Sequence, residues 1–168
     1  MSDAPVRIEP WAEGDGALLA QLLGDPAMME HLGGPESEQQ IADRHARYLA
    51  DADRDPQFRI VVGDVPAGWV GYWERDWRER EVYEIGWSVL PAFQGRGVAR
   101  AATVQALARA GAHGRRRFVH AFPSVDNAPS NAICPRTGFT LLGPCDFEYP
   151  PGHPMGCNDW RLDLAGAH

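Results

Sequence analysis

At 168 residues, 44% of them apolar and 23% charged, the chain is long enough to bury one sizeable core and too apolar to be a disordered segment. Its formal charge of −7, with all sixteen basic residues arginine, excludes a general nucleic-acid binder, because neutralising phosphates requires basic surface. Three cysteines (Cys134, Cys145, Cys157) without CxxC spacing suggest neither a zinc site nor a disulfide framework, and no targeting or membrane-spanning run is present, so the expectation is a soluble, cytoplasmic protein without membrane contact.

Val6–Trp11 reads as an opening strand. In GDGALLAQLLGDP, Asp15 stands as N-cap, leucines follow at 18, 19, 22 and 23, and Gly24 with Pro26 stops a short helix. DPAMMEHLGG repeats the pattern, with Asp25 as cap and Gly33 as terminator, and predicts another short helix. Ser37 and Gln40 have capping-box spacing ahead of Ile41, His45, Tyr48, Leu49 and Ala52, which predicts the second main helix. The period then changes. QFRIVV, AGWVGYW and EVYEIGWSVL predict three antiparallel strands, the last two joined by residues 74–81, whose four acids and three arginines read as a solvated hairpin tip.

PAFQGRGVARAA follows. Val98 is not the lysine that a nucleotide P-loop requires, and Arg100 stands where a dinucleotide fingerprint needs a small residue. What remains is a strand, a side-chain-free turn and a helix N-terminus, a place where backbone N–H groups can face an anion. Residues 98–112 predict a helix with a small face at Ala101, Val104, Ala108 and Gly111. RRFVHAF predicts a strand in which His120 is a hydrogen-bonded interior histidine. DNAPSNAICPRTG predicts a short helix capped by Asp126 or Asn127. FTLLGP with FEY, and NDWRLDL, complete the chain across the loop PPGHPMG. The order is β-α-α-β-β-β-α-β-α-β-β, a mixed α/β arrangement with a sheet flanked by helices.

Gln94-Gly95-Arg96-Gly97-Val98-Ala99, after the strand EIGWSVLP and before a helix, resembles the acyl-CoA signature of the GNAT superfamily of N-acetyltransferases at every fixed position. Asn127 through Gly138-Phe139 is similar to that family's second signature, an asparagine opening a helix that ends in Gly-Phe. The resemblance implies one α+β domain over residues 5–166, with a central, mostly antiparallel sheet, splayed strands and flanking helices. It implies acetyl-CoA as cosubstrate, no metal, and direct transfer to a primary amine in a ternary complex. The acceptor is a small amine, such as an aminoglycoside or polyamine, or a peptide N-terminus. The oligomeric state, monomer or homodimer, stays open. A catalytically idle acyl-CoA-binding sensor is the alternative.

The same resemblance assigns the pyrophosphate to Gln94, Gly95, Arg96, Gly97, Val98 and Ala99, the pantetheine amides to Val89 and Leu90, and the pantetheine arm to Asn127. Arg96 pointing to solvent and Asn127 as a plain helix cap stay open as alternatives. Glu84 is the candidate base: a carboxylate inside an apolar strand, it shares a face with Gly86 and Ser88, opposite Tyr83, Ile85, Trp87 and Val89. A structural, hydrogen-bonded acid is the other reading. Many members carry a tyrosine acid where this chain has Cys134, whose thiol is a candidate to protonate the leaving thiolate or, in principle, to carry the acyl group, the other reading being a small buried residue. Ser130 is the better candidate acid, because members resembling the ribosomal-protein N-terminal acetyltransferases place a serine there. Glu30, His31, Tyr48 and His153 are candidates for choosing the acceptor.

Overall fold

The computed structural model describes residues 4–30, 33–148, 152 and 154–166. Seven strands, β1 (Val6–Pro10), β2 (Gln57–Val62), β3 (Val65–Trp77), β4 (Arg80–Val89), β5 (Phe118–Ala121), β6 (Thr140–Glu148) and β7 (Pro154–Asp163), form one sheet in the order β1-β2-β3-β4-β5-β7-β6. Four helices, α1 (Gly16–Leu23), α2 (Glu38–Ala50), α3 (Val98–His113) and α4 (Ala128–Arg136), complete the predicted order. All neighbours are antiparallel except β4 and β5, and that exception shapes the molecule. The parallel ladder holds only Tyr83 opposite Val119 and Glu84 opposite His120. Beyond Glu84, β4 runs on to Val89 with no β5 partner, so the sheet opens into a splay.

One core fills the side of the sheet under α3, where Ile60, Val70, Tyr83, Ile85, Val119, Ala102, Ala106 and Cys134 are buried. Trp11, Leu18, Leu19 and Leu22 form a second core, packed against Ile41, Tyr48, Leu49 and Trp69. The capping box forms as expected: the Ser37 hydroxyl accepts from the Gln40 backbone N–H at 3.1 Å and the Gln40 side-chain Oε1 accepts from the Ser37 backbone N–H at 2.8 Å. Gln105 of α3 bonds the Ile8 N–H and the Val6 carbonyl of the edge strand β1, at 3.2 and 2.8 Å.

Several local expectations are corrected. Residues 25–30 form turns rather than a helix: Asp25 accepts from the Ala27 N–H at 2.8 Å, yet the first turn does not propagate, and His31 lies outside the described residues. Asp15 precedes α1 without capping it, its carboxylate accepting from the Ala12 N–H and from Arg59 at 2.8 and 3.1 Å. The buried face of α3 is Val98, Ala102, Thr103, Ala106, Leu107 and Ala110. The predicted small face is not the covered one, with Val104 51% exposed; the covered stripe is itself small, with alanines at 102, 106 and 110. Residues 74–77 and 80–81 are paired strand, and the turn is only Arg78 and Glu79, both at positive φ, 50° and 66°. The two predicted strands are joined in one, Thr140–Glu148, with an irregularity between Leu141 and Gly143; Tyr149 lies outside the described residues, and β7 begins at Pro154 inside the expected loop. His153 is outside the described residues.

Candidate active site

The splay is the floor of a cavity of about 600 Å³. Glu84, Gly86 and Ser88 of β4 stand on one side of it, Phe122 and Ser124 after β5 on the other. Asn127 and Ser130 close it from α4, and Tyr48 with Trp69 and Trp73 walls it from α2 and β3. Strand alternation puts Glu84 on the open face, as expected, while Tyr83, Ile85 and Val89 are buried opposite.

Glu84 is held by Arg75, from the stretch expected to be a solvated hairpin tip, and by Trp73 of the predicted strand before it. Arg75 donates through Nη1 to Glu84 Oε1 at 2.5 Å, and Trp73 sits directly across β3 from Glu84. Burial pushes the Glu84 carboxyl above its ordinary value, while the Arg75 charge, the Arg75 hydrogen bond and the Trp73 indole N–H pull the other way. The glutamate side chain is 15% exposed, so it is largely desolvated yet open to the cavity. The aromatic wall is a stack: Tyr48 lies on Trp69 at 5.8 Å and 9°, and Trp69 on Trp73 at 6.1 Å and 23°. Both indoles reach Gly86, where an added Cβ would meet Trp69 at 2.9 Å and Trp73 at 3.1 Å. The only sequence signal for this wall is the four-residue spacing of tryptophans 69, 73 and 77. Their shared face follows from strand alternation once all three lie in β3.

Asn127 caps α4, its Oδ1 accepting from the Ser130 N–H at 3.2 Å, and still lines the cavity beside Ser130. Asn131 had no role in the sequence reading, yet it fixes this corner: its amide nitrogen donates to the Ser124 and Asn127 carbonyls, and its oxygen accepts from Asn158 and the Trp160 indole, all at 2.9 Å. Cys134 does not reach the cavity. It is fully buried in the main core, its thiol contacts the Ser130 carbonyl at 3.5 Å, and burial pushes its pKa up to about 12. Tyr48 is at the site through its stack, whereas Glu30 is not among the lining residues.

The glycine turn lies outside this cavity, past the end of β4. Gly95 and Gly97 are left-handed, at φ 77° and 75°, and a Cβ at either would meet nothing within 4 Å. Gly97 is the N-cap of α3 without a side-chain cap, and Gln94 turns back to donate to the Val89 carbonyl at 2.9 Å. The turn is thereby fixed to the strand that borders the splay. Arg96 lies over the Phe93 ring at 5.8 Å. Leu90 donates its N–H to the Ala67 carbonyl at 2.8 Å. His120 is an interior histidine, 4% exposed, paired through Nδ1 with Asp159 at 2.6 Å.

A sheet opened between two parallel strands, a glycine turn leading into a helix from the end of one of them, and a carboxylate at the branch point define a GNAT-type architecture. Residues 6–140 match the family described as acetyltransferase (GNAT) domain, and the chain belongs to that family. It is similar in structure to RimL, a ribosomal L7/L12 alpha-N-protein acetyltransferase in complex with coenzyme A (TM-score 0.80, 18% identity, 99% of this chain and 100% of that one). Spermidine N-acetyltransferase from Vibrio cholerae, in complex with CoA and spermine, superimposes with a TM-score of 0.79 at 17% identity over 95% of this chain and 96% of its own. The aminoglycoside acetyltransferase AAC(6')-Ib in complex with coenzyme A gives 0.79 at 14% over 95% of each. Among the described residues, no helix is long and apolar enough to cross a membrane.

Proposed function

We propose that the chain transfers the acetyl group of acetyl-CoA to a primary amine by direct attack within the cavity, with Glu84 as the general base. The observation that carries this reading is the position of Glu84: a carboxylate with a raised pKa, at the point where β4 and β5 part, in the wall of a cavity open to a substrate. The amine must lose a proton before it attacks, and a base poised above the ordinary carboxylate range takes that proton more effectively. The solved relatives carry CoA, which supports placing the pyrophosphate at the Gln94–Ala99 turn and the pantetheine along Val89 and Leu90. The first N–H groups of α3 face the phosphates there, and left-handed glycines keep side chains out of the way. Asn127 meets the arm from the other side of the splay.

The leaving thiolate needs a proton, and Ser130 is the hydroxyl on the cavity wall next to Asn127. Cys134, buried behind Ser130, takes no part, so no acyl-cysteine forms and both substrates are bound together when reaction occurs. The relatives act on protein N-termini, spermidine and aminoglycosides, and the acceptor here belongs to that range: a peptide N-terminus or a small amine.

Thiol release from acetyl-CoA, followed across a panel of amines and N-terminal peptides, tests the assignment. Turnover with at least one acceptor is expected. Tight CoA binding with no turnover on any of them would replace the enzyme with an acyl-CoA-binding sensor.

A further inference from the structure

Charges on the β3–β4 hairpin are sorted by face. In register, Trp73 stands opposite Glu84, Arg75 opposite Val82 and Trp77 opposite Arg80, so these residues share the cavity face, while Glu74, Asp76, Tyr83 and Glu81 alternate onto the other. On that far face Glu74 is answered by Arg115 and Arg116 and Glu81 by Arg116, and Asp76 stands beside them. On the cavity face each carboxylate is already engaged, Glu84 by Arg75, Asp159 by His120 and Asp163 by Arg117. Phe118, Arg161 and Arg80 belong to this face by register, since His120 pairs with both Glu84 and Arg161. The guanidinium carbons of Arg80, Arg117 and Arg161 lie 4.8, 5.1 and 4.7 Å from the one Phe118 ring. Arg117 is paired with Asp163, but Arg80 and Arg161 have no carboxylate partner among the described residues. Asp159, two positions from Arg161 on β7, is 1% exposed and already takes His120 and the Trp77 indole, with Arg78 at 3.9 Å.

Like charges gathered on one ring, in a chain of charge −7, repel one another unless an anion meets them. The patch is joined to the cavity by a short ridge: Arg75 lies 5.6 Å over both Trp77 and Phe122, and Phe122 lines the cavity. Arg80 is four residues from Glu84 along β4, about 13 Å at the rise of a strand.

We propose that Arg80, Arg161 and Phe118 form a docking patch for acidic residues of a polypeptide acceptor whose N-terminal amine reaches Glu84; this rests on the acetyl-transfer reading above. The span suits an extended peptide with acidic side chains at roughly its fourth to sixth residues. The patch is open and spread over three strands, which suits several carboxylates along a chain better than one compact anion. The charges act on capture and orientation of the acceptor, leaving the chemical step to the cavity.

The test compares two hexapeptides with the same first three residues, one ending in three glutamates and one in three glutamines, alongside a dipeptide amide too short to reach the patch. With the wild-type chain, kcat/KM for the acidic peptide should exceed that for the neutral one by roughly five- to tenfold, and the gap should narrow as ionic strength rises from about 0.05 to 0.5 M. The double variant Arg80→Ser with Arg161→Ser should remove the preference while keeping the dipeptide rate, which also reports that the fold is intact. Equal use of both peptides by the wild type, or a preference that survives in the double variant, would overturn the patch. Binding of the labelled acidic peptide, measured without acetyl-CoA, separates the two claims. Salt-sensitive binding lost in the double variant, with no turnover on any amine, would leave the patch standing and remove the catalytic reading.

Discussion

Glu84 is pulled in two directions, and the balance sets where the reaction works. Burial favours the neutral carboxyl and raises its pKa, whereas Arg75 favours the carboxylate. The base must be deprotonated to act, so kcat/KM should fall as pH drops through a value above the ordinary glutamate range. Replacing Arg75 with glutamine removes the lowering influence and leaves the burial. The acid limb of the kcat/KM profile should therefore move to higher pH in Arg75→Gln, and a limb that stays in place would show that the ion pair does not tune the base. At this scale Glu84 was legible in the sequence, because a lone carboxylate in an apolar strand is conspicuous. Arg75 was not, because its partner is nine positions away and meets it only through the hairpin register. Asn131 was invisible for a similar reason: its four hydrogen bonds reach the loop after β5 and β7, which no local spacing announces.

Glycines decide two of the elements that frame the site. At Gly97 the backbone is left-handed and an added Cβ would meet no protein atom within 4 Å, so a side chain there costs about 1–2 kcal/mol of backbone strain. Its Cβ would instead project where the pyrophosphate is proposed to lie. Gly97→Val should fold and lose CoA affinity by at least about tenfold, an effect of about 1.4 kcal/mol, as titration calorimetry would measure; unchanged affinity would remove the phosphate assignment. Gly68 is the opposite case. A Cβ there would sit 2.2 Å from the Ser88 carbonyl oxygen and 3.0 Å from the Val89 Cα, backbone atoms that cannot swing aside. Gly68→Ala should cost about 1–3 kcal/mol and lower the melting temperature by roughly 2–4 °C per kcal/mol; a melting temperature equal to wild type would show that β3 and β4 separate freely. The capping box and the strand-turn-helix around Gly97 were readable because they are local. The turn at 25–30 and the outward face of α3 were misread because local capping and periodicity do not say which stripe the sheet will cover.

Across the whole molecule, the order of the strands and main helices follows from hydrophobic period and turn residues and matches the fold, the short helix expected from Asp25 being the exception. Sheet order and the splay do not follow from them, since both depend on which distant strands pair and on where pairing stops. The parallel ladder of β4 with β5 ends at Glu84 and His120, which puts the end of pairing, the cavity and the carboxylate at one place. That coincidence is the centre of the account, and it is tested by the pH dependence of acetyl transfer in Glu84→Gln beside the wild type. The variant should lose about 10²-fold in kcat, keep its affinity for CoA, and lose the limb that belongs to the carboxylate, keeping only the one set by the acceptor amine's own proton. A rate close to wild type, or a pH profile identical to that of the wild type, would contradict it.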